Sequence, residues 1–333
     1  MASLIEDLMN PDSLPDATEK VSLIQTHISF VLVADDFVYK IKKPVDFGFL
    51  DFSTLQKREY FCHQEMDLNR RFSQDLYIDV LPIFFNGKRH SIGKGEGEIV
   101  DYAVKMRRLP DEILMKAVFD RGELRDAHLK DIAGAIAGFH LKARRSEEID
   151  RFGDPDVFKF TTDENFEQTE KYIGITIDER DFRLIRRWTN DFFQRHRGLF
   201  GERIKSGKIR DCHGDLHMEH ICLTRPVSMF DCIEFNDRLR YTDILADIGF
   251  LLMDLEYRGG KGYADTLWGL YAEKIGDIEM TSLLGFYKVY RAYVRGKVNS
   301  FQIDDEQIGA ERKEEAVHTA KKYFQLARSY TGK

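Results

Sequence analysis

Hydrophobic and polar positions alternate with a period of two in the first third of the chain. Thr26–Pro44 is dense in β-branched and aromatic residues, with Ala34-Asp35-Asp36 at a turn, and reads as a β-hairpin. Leu76–Phe85 and Glu98–Met106 read as two further strands, with Asn86-Gly87 as a turn signal after the first. In the second strand of the first hairpin, Val38, Lys40 and Lys42 share one face, and Phe37, Tyr39 and Ile41 share the other. Residues 1–20 read as a short helix and a proline-containing connector. Ser53–Phe72 reads as a helix with Ser53 as its cap and a rough apolar face at Leu55, Phe61 or Cys62, Met66, Leu68 and Phe72.

After Met106-Arg107-Arg108-Leu109-Pro110 the period changes to 3.6. Leu129, Ile132, Ala133, Ile136, Phe139, His140 and Ala143 fall on one helical face, where His140 reads as a core or hydrogen-bonded histidine. Further helices are expected within 163–205 and at 243–257, 262–275, 281–300 and 306–329, the last amphipathic through Val317, Ala320, Phe324 and Ala327. Strands followed by helices, with no repeat, predict an α+β chain: a β-rich N-terminal part at 1–106 and a helical C-terminal part at 107–333.

One stretch interrupts the helical part. Ile209–Asp247 carries His213, Asp215, His217, His220, Asp231, Glu234 and Asp247, with apolar clusters between them. Ile221-Cys222-Leu223 and Ser228-Met229-Phe230 read as the two strands of a ribbon closed by Thr224-Arg225-Pro226-Val227. That register pairs 223 with 228, 221 with 230 and 220 with 231, so His220 and Asp231 meet roughly 5 Å apart at the open end, just beyond the loop that carries Asp215. A carboxylate on a loop beside another at a strand end suits phosphoryl transfer. One takes the proton of the acceptor hydroxyl, and the other holds the metal on the phosphates. Gly214 frees the backbone for a tight bend. His217 either braces the loop or contacts phosphate. Asp247 is a lone carboxylate in an apolar helix start and needs partners, which the backbone of the 213–217 loop can supply. Glu234 reads equally as a metal-site group or a solvated acid. Cys212, His213, His217, His220 and Cys222 are zinc-ligand types, but their spacing builds no closed tetrahedral set.

His213-Gly214-Asp215-Leu216-His217-x-x-His220, followed by Phe230-Asp231-Cys232-Ile233-Glu234-Phe235, resembles the catalytic segment of aminoglycoside phosphotransferases and related small-molecule kinases. The resemblance implies a protein-kinase-like two-lobe fold, with a small β-rich N-lobe that binds nucleotide and a larger helical C-lobe. It implies that Asp215 is the catalytic base, that Asp231 binds the metal, and that His213 and Asp247 brace the loop. His220 stands where the family places a metal-binding Asn. Imidazole suits later transition metals, so Mn²⁺ joins Mg²⁺ as a candidate beside ATP. Lys40 in Val38-x-Lys40 fits the family's nucleotide lysine, with Lys42 as the alternative. Glu65, in Glu-x-x-Leu68, fits the helix glutamate that pairs with it, with Glu59 second. Met106, Arg107 and Leu109 fall on the hinge whose backbone holds adenine. No Walker A or Gly-x-Gly-x-x-Gly sequence occurs in these 333 residues. Lys94–Glu98 reads as a plain loop, and the nucleotide loop falls on Thr26–Phe30. The resemblance is nearest to proteins in which such a module is joined to a separate P-loop ATPase domain.

Composition narrows the partners. Apolar content of 43% and charged content of 32% are ordinary for a soluble chain with a sizeable core. A net charge of −7 gives nothing to draw nucleic acid or an anionic membrane, so a small-molecule partner is expected. The acidic start lacks the basic and apolar regions of a signal peptide, and no apolar run reaches transmembrane length, so a cytoplasmic location is expected. Four cysteines are too few for a disulfide framework. Two functions remain in view: an ATP-dependent kinase acting on a small-molecule hydroxyl, and a non-catalytic nucleotide-binding module, suggested by the missing glycine loop and by His220.

Overall fold

The computed structural model describes residues 2–305 and 308–332. Met1, Glu306, Gln307 and Lys333 lie outside them, and so does the expected helix start at 306. The chain divides into two compact units, residues 1–121 with 219–237, and residues 122–218 with 238–333. The sequence reading puts the change at 106/107 and assigns the ribbon to the second part.

The first unit holds a helix, α1 (Ala2–Leu8), and six strands: β1 (Ser22–Gln25), β2 (Ser29–Val33), β3 (Phe37–Lys42), β4 (Tyr77–Phe85), β5 (His90–Ile92) and β6 (Glu98–Arg107). They form one antiparallel sheet in the order β1-β2-β3-β6-β4-β5. Two strands escaped the sequence reading. β1 is a largely exposed edge, split from β2 by a turn in which the Thr26 hydroxyl accepts the Ile28 and Ser29 N–H groups. β5 is only three residues long, too short for a period to show. The two faces of the sheet follow the alternation of β3. Tyr39 and Ile41 pack with Leu4, Leu8, Leu32 and Ile83 on the α1 side. On the opposite face Val38 packs with Cys62, Tyr77, Val104 and Met106, and Lys40 and Lys42 share that face with it.

The second helix, α2 (Leu55–Asn69), lies against that face. Its cap is Thr54, whose hydroxyl accepts the Lys57 N–H, and not the expected Ser53, whose hydroxyl is bonded to Asp51 at 2.6 Å. Its buried stripe is Arg58, Cys62, Glu65 and Asn69, one residue per turn. That stripe is mostly polar, and each polar member has a fixed partner. Arg58 donates to Asp101 at 2.8 Å, for example. A short helix, α3 (Met115–Asp120), and the ribbon Ile221–Cys222 with Ser228–Met229 complete the unit.

The second unit is helical: α4 (Asp126–Lys142), α5 (Pro155–Thr169), α6 (Glu179–Lys205), α7 (Ile244–Tyr257), α8 (Lys261–Ile275), α9 (Thr281–Phe301) and α10 (Ala310–Tyr330). Phe166, Phe182, Phe250, Met253, Tyr293 and Phe324 form its core. Ile209–Asp211 pairs antiparallel with Tyr241–Asp243, which sets the loop after Asp211 beside the start of α7. α7 is buried from Ile244 through Leu255. No helix among the described residues is long and apolar enough to cross a membrane.

Candidate active site

In the first unit the ribbon register differs from the expected one by a single residue. Ile221 pairs with Met229 and Cys222 with Ser228, and the Phe230 N–H donates to the His220 carbonyl. The reason is Leu223. Its N–H goes to the Ile113 carbonyl, and Cys222 bridges to Leu114, so the chain leaves the ribbon one residue early. His220 and Asp231 still meet, with Nε2 of one 3.6 Å from Oδ2 of the other. Asp231 takes φ +60°, and among the described residues it is the one non-glycine in the left-handed region. That bend breaks the strand alternation and turns its carboxylate toward His220. Neighbouring groups hold the bend. The Asp231 N–H donates to the Tyr77 hydroxyl at 3.0 Å, and the Cys232 N–H donates to Asn69 Oδ1 at 2.9 Å.

A chain of alternating charges runs through this unit. Lys40 donates to Asp231 and, at 2.9 Å, to Glu65. Lys42 donates to the other Glu65 oxygen at 2.7 Å and to Glu234. Burial alone would lower the Lys40 pKa, but Asp231, Glu65 and Glu234 reverse this and hold it well above its ordinary value. Burial likewise pushes Glu65 up, and the two ammonium groups bring it below its usual range. At Glu234, burial together with the Glu65 charge outweighs Lys42 and Lys40 and holds it above its usual range. Glu234 therefore stands beside Lys42 in the interior, and Asp231 keeps a 39% exposed side chain. Glu59 lies against the Tyr102 hydroxyl and away from the lysines. Of the expected hinge residues, Met106 and Leu109 pack with Val38 and Tyr77, and the Arg107 N–H is taken by the Leu76 carbonyl.

Three carboxylates and two ammonium groups alternate in this network. Its outer member pairs a hard oxygen (Asp231) with an imidazole (His220). That donor set fits a divalent ion such as Mg²⁺ or Mn²⁺.

The second unit holds the loop His213–Met218. Asp247 accepts the His213 N–H at 3.0 Å and the Gly214 N–H at 2.8 Å, as its isolation in an apolar helix led us to expect. His140 Nε2 lies 3.0 Å from the same carboxylate, and Nδ1 lies 2.7 Å from the Tyr271 hydroxyl. A carboxylate can only accept, so Nε2 donates to it and Nδ1 accepts from Tyr271. Burial raises the Asp247 pKa, and the His140 hydrogen bond with the charges around it more than reverses this, leaving about 2. Gly214 takes φ +85°, where a side chain would be strained. His213 is buried, and its Nδ1 accepts the Asp215 N–H at 3.3 Å. His217 Nε2 lies 3.5 Å from the Asp215 carboxylate, which is a third exposed.

Two supports of this loop are invisible to period reasoning. Asp254, seven residues after Asp247, accepts the Met218 N–H at 3.1 Å. Arg291, on α9, donates to the carbonyls of Gly214 and Ala246 at 2.8 and 2.9 Å. Asp254 was signalled by a charge set in a largely apolar helix, whereas Arg291 is one of four cations along α9 and carried no such signal.

The family described as the phosphotransferase enzyme family matches residues 62–283. The chain belongs to this family. The relatives Rv2004c of Mycobacterium tuberculosis and Mb2027c of Mycobacterium bovis, both described as uncharacterized, are each 33% identical to it over 279 residues, 84% of this chain and 54% of theirs. The chain thus spans about half the length of these curated relatives. Among solved structures, the GDP complex of aminoglycoside 2'-phosphotransferase-IIIa is similar with a TM-score of 0.56 at 12% identity, covering 98% of this chain and 99% of that one. A choline/ethanolamine kinase family protein of Mesorhizobium loti follows with a TM-score of 0.51 at 12% identity, covering 94% and 92%. At such identity the likeness is one of fold. It is the α+β, protein-kinase-like two-lobe fold, with a sheet-rich N-lobe and a helical C-lobe.

Proposed function

We propose that this phosphotransferase moves the γ-phosphate of ATP to a hydroxyl of a small molecule, with Asp215 as the base. The observation that carries the reading is the loop around Asp215, where backbone hydrogen bonds fix both flanks and leave a partly exposed carboxylate. A fixed carboxylate of this kind can orient a hydroxyl and take its proton as the oxygen attacks. His213 and His217 hold that carboxylate in place. In the first unit Lys40 grips phosphate oxygens, and Glu65 keeps Lys40 extended and charged. Asp231, with His220, holds Mg²⁺ or Mn²⁺. Lys42 and Glu234 brace Glu65 from the interior side. Met106, Arg107 and Leu109 line the adenine position. The bound ion supplies neutralisation of charge on the transferring phosphoryl group. A cytoplasmic setting goes with this reading, since ATP is available there.

The test is ADP release measured across hydroxylated acceptors, with ATP and with GTP as donors. GTP is included because the most similar solved fold described above is a GDP complex. Asp215→Asn should lower kcat by about 10²- to 10⁴-fold, the usual worth of a positioned base, with ATP affinity unchanged. Equal turnover by that variant and the wild type would remove Asp215 from the role. Tight ATP binding without turnover on any acceptor would favour the non-catalytic module.

A further inference from the structure

The helical unit holds a solvent-open cavity of about 410 Å³ whose walls share no residue with the Asp215 loop or its supports. That volume falls within the range of small-molecule sites. Ile173 and the buried Phe182 line it, at the edge of the unit's core. Arg183, Arg186 and Arg187 line it as well. They sit at i, i+3 and i+4 on α6, so all three side chains leave one face of the helix. Gathering three like charges costs Coulomb energy, and in a chain of net charge −7 composition alone does not bring it about.

The partners of these arginines are loosely held. Arg183 pairs with Glu179 one turn earlier, and Arg186 pairs with Glu170 at 3.1 Å. All four side chains are at least 40% exposed. Exposed pairs of this kind contribute little, so both carboxylates can swing into water when another anion arrives. Arg187 is exposed too, and it has no hydrogen-bond or ion-pair partner among the described residues. Arg186 joins the charged wall to the apolar one, with its guanidinium 6.0 Å from the Phe182 ring centroid.

The donor set selects the anion. A carboxylate has two oxygens and fills one guanidinium fork. A phosphate monoester carries a charge of about −1.5 to −2 at neutral pH and has three terminal oxygens, enough for three forks. The carbon body of such an ester has the Phe182 and Ile173 wall to pack against. We propose that this cavity binds a small phosphate monoester, with its phosphate on Arg183, Arg186 and Arg187 and its apolar body on Phe182 and Ile173. No bond is made or broken there. The site stands whether or not Asp215 is the base. The products of the activity proposed above are of the same class, so occupancy would rise with turnover.

The experiment is calorimetric titration of the full chain, without metal or nucleotide, with phenyl phosphate, inorganic phosphate and benzoate as probes. Phenyl phosphate should bind saturably, with a Kd in the millimolar range or tighter. It should bind more tightly than inorganic phosphate, which lacks the apolar body, and than benzoate, which lacks the third oxygen. Arg183→Gln combined with Arg187→Gln should weaken it by about tenfold or more, the worth of a hydrogen bond to a charged group. Lys40→Met should bind it as the wild type does, which separates this cavity from the nucleotide lysine. Absence of saturable binding overturns the proposal. So does binding that survives the paired arginine substitutions, or that is lost in Lys40→Met. Inorganic phosphate or benzoate binding as tightly as phenyl phosphate overturns it as well. Should the doubly substituted chain not fold, Arg187→Gln alone decides, since that side chain has no partner to lose.

Discussion

Asp247 and Asp254 lie seven residues apart on α7 and hold the two ends of one loop. Asp247 accepts the N–H groups of His213 and Gly214, and Asp254 accepts that of Met218. Two helical turns separate them, about 10.5 Å along the axis. Both are buried, so neither can trade its hydrogen bonds for water without opening the interior. The loop between them therefore has a fixed span, set by a rigid helix and not by its own sequence. A carboxylate at its centre, Asp215, is held in one place by the backbone bonds on either side.

The first prediction concerns acid stability. The Asp247 carboxyl titrates at about 2 in the folded protein, against an ordinary value of 3.8. Because the folded pKa is the lower one, the unfolded chain binds the proton more tightly. The contribution is present above 3.8 and is lost as pH falls through 3.8 toward 2. A depression of this size amounts to about 2 kcal/mol. Urea unfolding of the wild type from pH 6 downward should show this increment disappearing, and Asp247→Asn should lack it, with a flatter profile in the same window. Parallel profiles for the two proteins would mean that Asp247 does not carry the charge assigned to it.

What the sequence made legible follows from where charge and period disagree. Asp215 and its histidines stood out as a polar cluster between apolar strands, and Asp247 as a charge in a buried helix start. His140 was read as hydrogen-bonded, and its ring bonds both Tyr271 and Asp247. The ribbon register was off by one because Leu223 takes a partner more than a hundred residues away, which no local turn rule contains. The buried stripe of α2 was misread because Arg58, Glu65 and Asn69 count as polar in any periodicity, although each is satisfied inside. Arg291 was missed for the same reason: an arginine in a helix reads as solvated until its neighbours are known. The residues that escaped are buried polar groups whose partners are distant in sequence.

Lys40 and Lys42 share one strand face and one glutamate, yet a substitution should separate them. Lys42 is 1% exposed and lies between two buried carboxylates. Lys42→Met leaves Glu65 and Glu234 facing each other in the interior, and breaking a buried pair in this way costs about 3–5 kcal/mol. Lys40 faces Asp231, which reaches solvent, so Lys40→Met should cost less stability and more nucleotide affinity. Urea unfolding and ATP titration of both variants check this. A stable Lys42→Met protein that no longer binds ATP would reverse the two roles.

The last prediction turns on His220, which stands where the family motif carries Asn. Its Nε2 lies 3.6 Å from Asp231 Oδ2, close enough for one ion to take both as ligands. Imidazole favours Mn²⁺ over Mg²⁺, because Mg²⁺ prefers hard oxygen donors in an octahedral shell. His220→Asn replaces that nitrogen with an amide oxygen at similar reach. The ratio of Mn²⁺- to Mg²⁺-supported turnover should fall by about tenfold or more, the lower end of what a lost supporting group costs a metal site. Metal titration of ADP release, run on the wild type and the variant, measures it. If the ratio does not move, His220 serves only as an ion-pair partner of Asp231, and the ion takes its protein oxygen from that carboxylate alone. If it falls, the departure from the motif is a choice of metal and not a loss of activity, and the same substitution should raise the Mg²⁺-supported rate above that of the wild type.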